Sequence, residues 1–79
     1  MYYVYRLQSL VDSGEVYVGF TVDIQKRLKT HNNGQNRHTS KYKPWKIINY
    51  IAFENEEKAR DFEKYLKSGS GRAFSKKHF

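Results

Sequence analysis

The stretch YYVYRLQSLVDSGEVYVGF, residues 2–20, decides the fold. Residues 2–9 are rich in aromatic and β-branched side chains, and residues 15–20 (EVYVGF) repeat that character. Asp12-Ser13-Gly14 lies between them as a turn signal, so the two runs read as a β-hairpin. In the first run Tyr3, Tyr5 and Leu7 share one face, while Tyr2, Val4 and Arg6 share the other. In the second run Tyr17 and Gly19 point opposite to Val16, Val18 and Phe20. A glycine weakens a strand, and Gly19 marks a place where a ligand or another backbone comes close.

Beyond the hairpin the period changes. Residues 23–33 have helical spacing, with Thr21 or Asp23 available as the cap and Gly34 where a helix C-terminus commonly puts a glycine. Residues 35–46 form a basic loop closed by Pro44. Residues 47–53 (IINYIAF) are apolar nearly throughout, which predicts a central strand covered on both faces. Asn55 caps a second helix whose first turn carries Glu56 and Glu57, favourable for the helix dipole. That helix should run to about Ser68 and stop at Gly69, leaving residues 70–79 as a last helical turn or two with a basic tail. The expected fold is α/β of the α+β type, a three-stranded antiparallel sheet flanked by helices in the order β-β-α-β-α-α. It occupies residues 1–79 as one domain.

Composition narrows the chemistry. Lysine and arginine number 15 against 8 acidic residues, a net charge of +7. Such an excess points to a polyanionic partner, because cations that bind phosphate release condensed counterions. A basic structural protein, such as a ribosomal one, is the plain alternative. There is no cysteine, and His31, His38 and His78 lack zinc-site spacing, so neither disulfides nor structural zinc are expected. Without a Ser/His/Asp set or a reactive cysteine, hydrolysis through a covalent intermediate is unsupported. Aromatic residues and Arg6 interrupt any leader-like run, and no stretch approaches the ~18 apolar residues of a membrane span. A soluble cytoplasmic protein with no membrane association is expected.

The sharpest signal is charge where core should be. On the first helix the inward template falls on Ile24, Arg27, Leu28 and His31; on the second it falls on Ala59, Phe62, Glu63 and Leu66. Unpaired charge on such a stripe is costly, and the intruders Arg27 and Glu63 are opposite in sign. Two readings stand side by side. One is a buried Arg27–Glu63 ion pair with His31 as a satisfied neighbour. The other is a polar cleft in which Glu63 binds a divalent cation and the guanidinium of Arg27 faces a phosphate. The strand tyrosines divide likewise between simple packing and participation in that cleft.

At Tyr3-Val4-Tyr5 and Tyr17-Val18-Gly19 the chain resembles the GIY-YIG nuclease superfamily, as degenerate copies of its two naming motifs. The likeness continues through Arg27 and His31, through Pro44-Trp45-Lys46, and through residues 59–67 (ARDFEKYLK), where Glu63 matches the metal-binding glutamate. Residues 67–72 (KSGSGR) resemble the ending of small stand-alone bacterial members. Tyr3 stands where the family name has glycine, and no asparagine follows Asn55, although many family nucleases carry one there. The resemblance implies a three-stranded antiparallel sheet with helices, and a site built from Tyr5, Tyr17, Arg27, His31 and Glu63. It implies phosphodiester hydrolysis with one divalent metal, Mg²⁺ or Mn²⁺, held by Glu63. On that model Tyr5 is the general base, its phenolate favoured by Arg27 and nearby lysines; Tyr17 bonds the phosphate or orients the water. Arg27 stabilises the transition-state charge and His31 supports the network.

The basic loop interleaves cations with Tyr42 and Trp45, which suits phosphate contact and base stacking. Trp45 reads better as a core anchor at the start of the strand, while Arg37, Lys41 and Lys43, with Lys46 and Arg72, are expected to meet phosphate. Nothing reads bases, so sequence specificity should be low. DNA is the expected partner ahead of RNA, in a repair or processing role, with a partner protein supplying targeting. Nucleic-acid binding without cleavage is the alternative.

Overall fold

In a computed structural model describing residues 1–79, strand β1 (Tyr2–Ser9) pairs antiparallel with β2 (Val16–Thr21), and Tyr5 stands opposite Gly19. The turn holds itself: Asp12 Oδ1 accepts from the Gly14 amide at 3.1 Å, and Ser9 Oγ accepts from the Val11 and Asp12 amides. Helix α1 (Ile24–Asn32) starts on Asp23, whose side chain accepts from Lys26 N, and closes at Gly34 with φ +75°. A single 3-10 turn (Ser40–Tyr42) precedes β3 (Trp45–Phe53). Helix α2 (Glu56–Leu66) is capped by Asn55, as expected, and helix α3 (Gly69–His78) by Ser68. The architecture is the α+β arrangement read from the sequence.

Two details differ. The sheet order is β2-β1-β3, so β1 is central and the apolar run of β3 lies at an edge. Its residues are apolar because alternate ones serve different cores, not because both faces are deeply covered. Trp45 and Ile47 pack with Tyr5 and Leu7, Phe53 packs with Val4 on the other face, and Tyr50 stays 55% exposed. The strand also begins at Trp45, opposite Ser9, with Ile48 as the extra residue in the register shift beside Arg6 and Leu7. The second difference is α3, a ten-residue helix where a turn or two and a tail are expected. Gly69 opens it instead of ending α2 for good, because Ser68 immediately recaps the chain. A Cβ at Gly71 would collide with the Tyr65 carbonyl oxygen, so this glycine is what lets α3 fold back against α2. Phe74 then packs on Phe62 and Tyr65.

The sheet separates two small cores. Val4, Ala59 and Leu66, with Phe20, Phe53 and Phe62 around them, join α2 and α3 to one face. Tyr5, Leu7 and Trp45, with Tyr17, Leu28 and Ile47, join α1 and the loop to the other. The helices bearing Arg27 and Glu63 therefore belong to opposite faces. No helix is long and apolar enough to cross a membrane.

Candidate active site

The site is assembled around one missing side chain. A Cβ at Gly19 would collide with Tyr5 Oη and Cζ and lie 2.9 Å from Cε1, so the glycine opens the path along which the Tyr5 ring crosses β2. The close approach expected at Gly19 is thus made by a neighbouring side chain. Tyr5, 1% exposed, brings its hydroxyl within 2.9 Å of His31 Nε2 and accepts a hydrogen bond from Arg27 Nε at 3.3 Å. His31 is fully buried, and its Nδ1 lies 2.8 Å from Thr39 Oγ1. Thr39 in turn donates to the Asn36 carbonyl at 3.4 Å, and its own carbonyl accepts from Trp45 Nε1 at 2.9 Å. With the Thr39 proton directed to Asn36, Nδ1 carries the imidazole hydrogen toward Thr39, and Nε2 accepts from the Tyr5 phenol. Trp45 is the buried anchor expected of it; its indole fixes the segment that presents Thr39.

Half-buried Tyr17 packs its ring 4.8 Å from His31 and 6.3 Å from Tyr5. From the other face Lys67 reaches round to within 5.9 Å of the Tyr17 ring and pairs with Glu63 Oε2 at 2.8 Å. Glu63 is close enough for its charge to disfavour ionisation of Tyr5. Tyr5, Tyr17, Arg27 and His31 are thus in mutual contact, and Glu63 joins them across the β2 edge.

The ion pair weighed between Arg27 and Glu63 does not form, because α1 and α2 lie on different faces and Lys67, one turn on, takes the carboxylate. Arg27 has phenols for partners, Tyr5 foremost and Tyr17 as well, and they hold its pKa above the ordinary value. No carboxylate is paired with it. The expected lowering of Tyr5 is also not met. Burial pushes its pKa up to about 12, outweighing the hydrogen bond from Arg27, and no lysine contributes. At neutral pH Tyr5 is a phenol. His31 is pushed down to about 4, by burial first and by the Arg27 charge second, so it is neutral there.

That depression makes stability depend on pH. An unfolded chain protonates the imidazole near 6.5, whereas the folded one resists until about 4. The contribution is complete above the unfolded value, falls as pH drops between the two, and levels off below. Wild type is expected to lose up to about 3 kcal/mol more than His31→Gln over that interval. Urea unfolding at stepped pH checks this, and parallel curves for the two proteins would exclude it.

The expected phosphate contacts scatter. Arg37, Lys41 and Lys43 are exposed on the loop without a hydrogen bond or ion pair to the tyrosine cluster. Lys46, between Trp45 and Ile47, alternates to the opposite face of the sheet, opposite Gln8. Arg72 on α3 lines a groove with Tyr17 and Lys67. Thr39 and Lys67 are participants that the sequence reading did not single out. Lys67 had a signal, standing four residues after Glu63; Thr39 had none, since a loop residue carries no period.

No three His, Cys, Asp or Glu side chains gather into a metal cluster, so Glu63 is the one protein carboxylate at the site. The chain belongs to the GIY-YIG family: the model of the GIY-YIG catalytic domain matches residues 1–77. Its sequence is 38% identical over 68 residues to the UPF0213 protein CPE1444 of Clostridium perfringens, covering 85% of this chain and 71% of that protein. It is 34% identical over 67 residues to the UPF0213 protein YsiG of Lactococcus lactis, covering 84% and 62%. A third relative, the UPF0213 protein SpyM3_1077 of Streptococcus pyogenes, is 32% identical over 72 residues, covering 90% and 76%. The family points to a nuclease-type function, and with it to nucleic acid as the partner.

Proposed function

We propose that the chain is a metal-dependent endonuclease that hydrolyses phosphodiester bonds in nucleic acid, with little sequence specificity and with DNA as the first substrate to test. The observation that carries this reading is Arg27, a guanidinium held by phenols and paired with no carboxylate, while Glu63, near enough to influence Tyr5, is paired with Lys67 instead. An always-charged, planar donor without a counter-charge suits a phosphate. We place the activity in the cytoplasm, with a partner protein supplying targeting.

Glu63 fits a hard divalent cation. Its carboxylate is accessible over 21% of the side chain and holds only the flexible, half-exposed Lys67, which can release it. A lone carboxylate suits Mg²⁺ or Mn²⁺, ions that keep several waters and take further oxygens from the substrate. Bound there, the metal would supply charge stabilisation for the departing oxygen.

The chain's own residues do the rest. Arg27 turns from Tyr5 onto the scissile phosphate and offsets its developing charge. That movement uncovers the Tyr5 hydroxyl. Because burial disfavours a free phenolate, Tyr5 accepts a proton from water only as its own passes to His31 Nε2. The resistance of His31 to protonation, set by burial and the Arg27 charge, eases as Arg27 moves away onto the phosphate. The general base is therefore the Tyr5–His31 couple, with Thr39 holding the imidazole. Tyr17, nearer the surface, hydrogen-bonds the phosphate. Arg37, Lys41, Lys43 and Lys46 supply exposed positive charge for the backbone outside this centre.

One observation favours a second reading. The Tyr5 hydroxyl is covered and its pKa raised, as suits a domain that binds nucleic acid without cutting it. Nicking of branched, single-stranded and duplex DNA with Mg²⁺ or Mn²⁺ separates the two. Cleavage by wild type that disappears in a folded Glu63→Ala variant is the expected result. Binding without cleavage under either metal would select the second reading.

A further inference from the structure

A groove of about 1100 Å³ runs between the β1–β2 hairpin and helices α2 and α3. Its walls include Tyr17, which belongs to the tyrosine cluster, Lys67, which pairs with Glu63, and three further cations, Arg6, Arg72 and Lys76. Glu15 is the only acidic residue lining it. The protein's two side-chain ion pairs are Arg60–Glu56 and Lys67–Glu63, so Arg6, Arg72 and Lys76 have no carboxylate partner.

Arg6 is the informative member. It is half-buried on the central strand, donates one hydrogen bond to Asn49 Oδ1 at 3.0 Å, and lies 5.2 Å over the Phe79 ring. Both partners are neutral. Burial lowers its pKa, the sign of a charge that the fold does not compensate. A cation placed here for stability would have a carboxylate beside it. Asn49 engages one of its five N–H donors, and phosphate oxygens match the geometry of the others.

We propose that this groove is the track for the phosphodiester backbone of the strand that passes Tyr17, carrying it from the cleavage centre round the β2 edge and across the opposite face of the sheet. The proposal rests on the nucleic-acid reading above. It gives Arg6 a role and explains why Arg72 stands away from the loop cations.

The test measures binding by the full chain with divalent metal chelated, using labelled single-stranded and duplex DNA in a salt series. The variant Arg6→Met/Arg72→Gln/Lys76→Gln is expected to bind at least tenfold more weakly. Its log K against log salt slope should be shallower by about 2 on single strands and about 2.7 on duplex, as three lost phosphate contacts require. Restoring charge alone, with Arg6→Lys in the otherwise native chain, should retain most of the slope. A control triple on the outer helix surfaces, Lys29→Gln/Lys58→Gln/Lys64→Gln, carries the same charge loss. An equal effect from the control overturns the track, as does an unchanged slope in the groove variant. Should that variant fail to unfold cooperatively, Arg72→Gln/Lys76→Gln takes its place, with a slope change of about 1.4 on single strands and about 1.8 on duplex expected and no change again fatal. Loss of binding to a polyglutamate peptide, with DNA binding intact, would assign the groove to an acidic protein and sink the proposal. If wild type binds no nucleic acid, the underlying reading fails as well, an outcome distinct from failure of the groove variant alone.

Discussion

Arg27→Ala is expected to cut single-turnover cleavage about a thousandfold, the scale seen when one donor to transition-state charge is removed from a prearranged site. The chain should stay folded. Arg27 is half-buried, makes its contacts through phenols, and neutralises no acidic group whose charge would be stranded by the change. Arg27→Lys should recover little, because one ammonium cannot present to phosphate the planar pair of donors that the guanidinium offers once it has turned from Tyr5. Removing the guanidinium also relieves His31 of a nearby positive charge, so the imidazole should titrate somewhat higher in the alanine variant. NMR titration of the ring follows that shift. An Arg27→Ala protein that cuts as fast as wild type would eliminate the phosphate role.

Tyr5→Phe should be damaging in two separable ways. Cleavage is expected to fall by about two to four orders of magnitude, the usual worth of a positioned acid–base group. Stability should fall by about 1–3 kcal/mol, because the phenyl ring refills the space but leaves His31 Nε2 buried without a partner. Tyr17→Phe is the comparison. Its half-exposed hydroxyl can exchange protein contacts for water, so it should lose activity with little stability. Full cleavage by folded Tyr5→Phe would remove the Tyr5–His31 couple from the mechanism.

Most of the fold was legible because local signals agreed with one another. Asp12-Ser13-Gly14 closes the hairpin, Asp23 and Asn55 cap their helices, and Gly34 adopts positive φ. Misreadings arose where a local signal has two causes. An apolar run such as residues 47–53 can mark a central strand, or an edge strand feeding two cores; pairing decides, and pairing is non-local. Gly69 is a helix stop in isolation, yet Ser68 before it restarts the chain. At the site, Arg27 and Glu63 were visible as charges on apolar stripes, since both stripes do face inward. Their partners were not visible. That Glu63 would choose Lys67, and that burial would override Arg27 at Tyr5, depends on which face each helix covers.

The opening at Gly19 ties two positions into a lock. A methyl group at 19 needs the volume that the Tyr5 ring fills, so a larger residue there demands a smaller one at 5. A smaller residue at 5 gives up the hydroxyl that joins Arg27 to His31. Neither position can drift alone, and a compensating double change that rescues packing still forfeits the chemistry. The glycine of the second motif and the tyrosine of the first are, in this molecule, one shape written in two places.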